Sequence, residues 1–250
     1  MVRCSALAAL LLCSLVGFEA RAGERPYAFV QGVESLPQGG LELENWFGAI
    51  RPPNGSAAGG TSWEWWLGPV VGITDQLEAG LFGIFLQPQA PGDSSEFLQL
   101  DSLRAQVSYA LAPRGAWPID VRVRLEVGVP AADDALTVWA SVFAARDFGR
   151  LNLTANLVES IEVAKTNGAV SPYFSYGVGV SYAIVGAFRA GGELYGVADS
   201  DPGSDDAPWT ILGPSLAYAT GRLWTALSYG FGLTSQSPRE RGRIVVGLAF

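Results

Sequence analysis

Arg243-Ile244-Val245-Val246-Gly247-Leu248-Ala249-Phe250 is the last stretch of the chain. Extended, it puts Ile244, Val246, Leu248 and Phe250 on one side and Arg243, Val245, Gly247 and Ala249 on the other. A soluble domain rarely ends on an apolar strand, because an unpaired sheet edge is a template for aggregation. A closed barrel can end there. Its last strand pairs with its first, and in a membrane the apolar side of that strand meets lipid.

The same alternation recurs upstream. Ile119, Val121, Val123, Leu125, Val127 and Val129 share one face of a strand whose other face carries Asp120, Arg122, Arg124, Glu126 and Gly128. Extended segments of period two are predicted over 41–50, 61–71, 77–87, 97–111, 119–129, 135–147, 151–164, 172–183, 187–198, 208–219, 223–233 and 241–250, and no comparable window has helical periodicity. Connections alternate between short turns, such as 148–150, 184–186 and 220–222, and longer polar loops, such as 51–60, 88–96 and 199–207. The expectation is an all-β fold, a closed antiparallel transmembrane barrel of about 12 strands over residues 41–250. A secreted β-sandwich shares the local alternation, but not short turns on one rim and long loops on the other. An even strand count also puts both ends of the barrel on the short-turn rim. Trp63, Trp65, Tyr109, Trp209, Tyr218, Tyr229, Phe231 and Phe250 fall near strand ends, as in an aromatic girdle at the headgroup level.

Residues 1–22 read as a secretory signal peptide: Arg3 is a short positive region, Ala6–Val16 an apolar one, and Ala20-Arg21-Ala22 a cleavage site. Both cysteines, Cys4 and Cys13, lie within it, so cleavage removes any disulfide, thiolate metal site or cysteine nucleophile. Loss of Arg3, Arg21 and Glu19 shifts the net charge from −8 to −9, which argues against a nucleic-acid partner. Apolar residues make up 49% of the chain without a mature stretch that approaches a spanning helix, which leaves a large β core or a lipid-facing barrel.

Parity assigns the interior. Glu42, Glu44, Glu64, Glu78, Arg104, Arg122, Arg124, Glu126, Arg189, Glu193 and Arg243 are expected to line the lumen, with the acids neutralising the arginines. Inward positions on strands eight and ten to twelve are mostly small, among them Ser175, Gly177, Gly179, Ser181, Gly213, Ser215, Ala217, Ala226 and Ser228. That smooth wall leaves room for a solute or for an inserted segment. Residues 23–40, periplasmic or lumen-inserted, are the candidate insert. A lumen of this strand number lies between filled barrels and open porins.

Leu36-Pro37-Gln38-Gly39-Gly40-Leu41-Glu42-Leu43-Glu44 and Val71-Gly72-Ile73-Thr74-Asp75-Gln76-Leu77-Glu78-Ala79-Gly80 resemble the opening of small proteobacterial outer-membrane barrels. The pair is similar to the group described as meta-pathway phenol-degradation (MetA-type) barrels. The hairpin recurs in other barrels, so the resemblance implies architecture: a bacterial outer-membrane protein in lipid. A terminal strand ending in Phe250 is similar to the assembly signal that such barrels present to the barrel-assembly machinery.

The chain contains no histidine, which removes Ser-His catalysis and every His-based metal site. Paired inward carboxylates could serve a glycosidase, but neutralisation of inward arginines accounts for them. Asp199, Asp201, Asp205 and Asp206 could offer oxygen to Ca²⁺, without the spacing of a calcium loop. No catalytic residue, metal or cofactor is expected. The functional expectation is a passive pore or transporter for small solutes with a charged lumen wall. The alternatives are a closed structural or ligand-binding barrel and, behind both, an outer-membrane enzyme.

Overall fold

A computed structural model describes residues 25–54, 60–87, 98–131, 135–164, 170–198 and 208–250. The predicted signal peptide and the aspartates of 199–206 lie outside the described residues.

The elements are β1 (Leu41–Arg51), β2 (Ser62–Gly72), β3 (Leu77–Leu86), β4 (Gln99–Ala110), β5 (Asp120–Pro130), β6 (Ala135–Phe148), β7 (Leu151–Ala164), β8 (Val170–Val185), β9 (Phe188–Ala198), β10 (Trp209–Thr220), β11 (Leu223–Gly232) and β12 (Glu240–Ala249). Each pairs antiparallel with its sequence neighbours, and β1 pairs with β12 to close the barrel. The closing register sets Glu44 opposite Gly247 and Leu43 opposite Leu248, and the Phe250 amide donates to the Leu41 carbonyl at 2.8 Å. The terminal strand therefore has no open edge. The largest departure from the predicted bounds is β8, which runs past 172–183 at both ends because Val170 and Ser171 continue its ladder with β7.

Three of the short turns have one chemistry. Gly149, Gly186 and Gly221 each follow the last residue of a strand with φ of 62°, 53° and 53°, and among the described residues no non-glycine residue has positive φ. Glycine first and an ordinary residue second, between antiparallel strands, is the type II′ hairpin turn.

The barrel is inside-out relative to a soluble protein. On β5, Leu125 faces outward and is 55% exposed, while Arg122, on the opposite face, is 1% exposed. Ile244, Leu248 and Phe250 are exposed on the outer surface, with Val245 and Ala249 buried inside. Trp63, Tyr109, Tyr218, Tyr229 and Phe231 are also exposed outside. Trp209 corrects the girdle assignment. It pairs with buried Val197 and shares the parity of Ile211 and Ser215, so it points into the lumen. Position near a strand end had marked its depth, whereas parity decides its face.

Candidate functional site

The short-turn half of the lumen is filled by residues 25–36, which form no strand and are mostly buried. At its apex, Ala28, Phe29 and Val30 donate three successive backbone N–H groups to the Glu193 carboxylate, at 2.9, 2.7 and 2.6 Å, and Ser228 Oγ donates to the same group at 2.5 Å. Consecutive N–H groups turned onto one carboxylate form an anion nest, which satisfies both the charge and otherwise orphaned amides. One residue on, Gln31 and Asn156 exchange hydrogen bonds: Gln31 N donates to Oδ1 at 2.5 Å, and Nδ2 donates to Gln31 O at 2.8 Å.

Ionic ties hold the two limbs. Arg25 grips Glu44 through both nitrogens, at 2.6 and 3.2 Å, and lies 5.2 Å from the Trp224 ring. Burial opposes the charge of Arg25, but Glu44, Glu42 and Glu78 outweigh it and hold the guanidinium above its ordinary range. On the descending limb, Glu78 accepts from the Leu36 amide at 3.2 Å and pairs with Arg122, which also donates to the Glu34 carbonyl. Arg114, in the turn before β5, reaches Glu34 at 3.1 Å.

The small-residue wall is where this segment rests. A Cβ on Gly179 would lie 2.6 Å from the Tyr27 ring, and one on Gly177 would lie 3.1 Å from Val30. Ala28 packs with Ala217, Ala226 and Trp224. The Tyr27 hydroxyl donates to Asn152 Oδ1 at 2.9 Å, and burial pushes its phenol up to about 12, so it stays a neutral donor.

The long-loop half of the lumen is not filled by this segment. It holds a chamber of about 270 Å³ whose floor includes Phe29 and Gln31. At the other end of the lumen, a cavity of about 550 Å³ reaches Val33, Glu34, Ser35 and Pro37 from the short-turn side. The two cavities share no lining residue, and the inserted segment lies between them.

The chamber wall combines guanidinium groups with aromatic rings. Trp46 stacks on Trp66 at 5.2 Å and 2°, and Arg104 lies between Trp66 and Trp139, at 4.7 and 3.9 Å from their ring centres. Gly128 makes the last contact possible, since a Cβ there would meet the Trp139 ring at 2.7 Å. Arg241 and Arg243 share Glu64, with closest approaches of 3.3 and 2.7 Å. Arg124 pairs with Glu126 at 3.6 Å and donates to Ser108 at 3.0 Å.

The residues assigned to the lumen fall into separate groups. Glu42, Glu44, Glu78 and Arg122 belong to the filled half, with Glu193 at its apex. Arg104, Arg124, Glu126 and Arg243 line the chamber, and Glu64 pairs with Arg243 behind its wall. Arg189 sits at the short-turn rim and bonds Ser181 Oγ at 3.1 Å. The expectation that acids neutralise all the inward arginines is corrected at Arg104, which among the described residues forms no hydrogen bond or ion pair and is flanked by indoles instead. Arg241 was missed although it shares the parity of Arg243, so the signal was present. Arg25 was missed because its segment has no periodicity to read.

No family model matches the chain, and no curated protein matches it in sequence. Among solved structures, an outer membrane channel from Pseudomonas putida F1 is similar at a TM-score of 0.64 and 14% identity, covering 87% of this chain and 98% of that one. The KdgM porin is similar at a TM-score of 0.56 and 8% identity, covering 84% and 99%. The NanC porin is similar at 0.54 and 12%, covering 84% and 98%. At these identities the likeness is one of fold, and the fold shared is that of outer-membrane barrels.

Proposed function

We propose that this chain is an integral outer-membrane channel for small solutes whose lumen is closed by its own residues 25–36. The observation that carries the reading is the arrangement of two cavities at opposite ends of the lumen, divided by a segment that is not part of the barrel wall. The apolar outer surface suits lipid, and exposed Phe250 on the closing strand suits recognition by the barrel-assembly machinery. The structural neighbours carry the words channel and porin in their own descriptions. The hairpin around Val71–Gly80 keeps the MetA-type group as the sequence resemblance within this proposal. The inner arginines set selectivity by charge, and no enzymatic step belongs to the reading.

The density of ties on the inserted segment favours one second reading, a closed barrel without flux. Single-channel recording of the refolded protein separates the two. Gly179→Val fills the space under the Tyr27 ring with a β-branched residue that a strand accepts. It should displace the segment and raise conductance above that of the wild type. A chain lacking residues 25–36 should conduct more still. If both variants fold, as judged by a gel-mobility shift on boiling, and neither conducts, the closed barrel is the correct reading.

A further inference from the structure

The charged groups on the lining of the chamber at the long-loop end are mostly cationic. Its lining includes Arg104, Arg124, Arg241 and Arg243, against Glu126, which Arg124 already holds. Three buried polar atoms on lining residues have no hydrogen-bond partner among the described residues: Arg104 Nε, Trp66 Nε1 and Arg241 Nε. All three are N–H groups. A buried N–H without an acceptor costs about 1–3 kcal/mol, so the wall behind the chamber carries more donors than this protein's own acceptors satisfy.

Arg104 is the centre of this arrangement. Trp66 and Trp139 both lie against its guanidinium, so an anion must reach it along an N–H edge that the rings leave free. That edge presents N–H groups in a fork that matches a carboxylate. The stacking holds the fork in place, so little side-chain freedom remains to be lost when a carboxylate arrives. Around it the wall is aromatic, with Phe29, Phe82 and Tyr195 also on the lining. At about 270 Å³ the chamber falls just below the range of ~300–1,000 Å³ that suits drug-sized ligands, so it admits one ring rather than a chain of sugars.

We infer that the chamber binds a small carboxylate with a flat apolar body, and that the Arg104 guanidinium, packed against Trp66 and Trp139, grips the carboxylate. The assignment deepens the channel reading and rests on it for the ligand's path to the chamber. Charge is the discriminating feature: a neutral ring of the same shape leaves the Arg104 guanidinium without an anion.

The test is a titration of intrinsic tryptophan fluorescence in the refolded, micelle-bound full chain, with benzoate as probe. Benzoate should quench saturably. Benzamide, which has the ring without the charge, and acetate, which has the charge without the ring, should each bind roughly tenfold more weakly or worse. Arg104→Met should weaken benzoate by a similar factor while leaving the mobility shift on boiling unchanged, because Arg104 holds no other side chain by hydrogen bond or ion pair among the described residues. Should that variant fail to fold, the wild-type comparison of benzoate with benzamide decides alone. Equal binding of the two, unaltered benzoate binding by a folded Arg104→Met, or no saturable binding would overturn the inference. A barrel that conducts without binding benzoate removes this assignment and keeps the channel. A barrel that binds benzoate and never conducts, even without residues 25–36, does the reverse.

Discussion

Arg122 on β5 and Arg104 on the neighbouring β4 both point into the lumen, yet they sit in different chemical surroundings. Arg122 belongs to the short-turn half, where it is 1% exposed, paired with Glu78 and bonded to the backbone of the inserted segment. Arg104 belongs to the long-loop half, where its neighbours are two indole faces. One half of the barrel spends its charges on holding its own chain in place. The other leaves charge exposed to a cavity. The difference follows from which inward side chains a segment of chain covers: where residues 25–36 reach, Arg25 and Arg122 meet carboxylates of this protein, and above them Arg104 meets indole rings instead.

The comparison is tested most severely by making one substitution at both sites. Arg122→Met leaves Glu78 buried beside an apolar side chain, and breaking a buried pair in this way costs about 3–5 kcal/mol. Arg104→Met loses only cation–π contact, about 0.5–2 kcal/mol. Urea unfolding of the two refolded variants in micelles should therefore give a much lower midpoint for Arg122→Met. Equal midpoints would mean that the two halves do not differ in how they use charge.

A smaller effect checks the face assignment on which the comparison depends. Val123 lies between Arg122 and Arg124 on β5 and faces outward. Arginine at that position would sit in hydrocarbon, at a cost of roughly 2–4 kcal/mol near mid-depth. The folded yield of Val123→Arg into lipid vesicles should fall, while Arg124→Gln should fold. A harmless Val123→Arg would indicate a strand slipped by one residue, which exchanges the two faces.

How much of this was legible depended on local repetition. The alternation of Ile119–Val129 and of the terminal strand is contained within each segment, so strand, face and barrel follow without knowing any partner. Ion pairs between strands are different, because they depend on register. Glu64 and Arg243 are 179 positions apart and meet only because β2 and β12 flank β1. Arg104 illustrates the limit: its inward direction could be read, but not that its cross-lumen neighbours would be Trp66 and Trp139. The small wall of Gly177, Gly179 and Ser181 signalled vacant volume correctly. Which residues occupy it depended on Tyr27 and Val30, in a segment without periodicity, where no sequence rule fixes contact.

Tyr27→Phe is expected to have the smallest effect and to show what kind of contact holds the inserted segment. The ring stays over Gly179, so the packing is kept, and only the hydroxyl is lost. That hydroxyl donates to Asn152 Oδ1 at 2.9 Å and lies 3.1 Å from Asn152 O. Removing it does not orphan Oδ1, which still accepts from Thr154 Oγ1 at 2.9 Å. The cost should therefore sit at the low end of the ~0.5–1.5 kcal/mol of an ordinary hydrogen bond, with single-channel conductance close to that of the wild type. Gly179→Val acts on the same ring through volume and should raise conductance clearly. If Tyr27→Phe opened the lumen as far as Gly179→Val, the segment would be held by that one polar contact rather than by its fit to the small-residue wall.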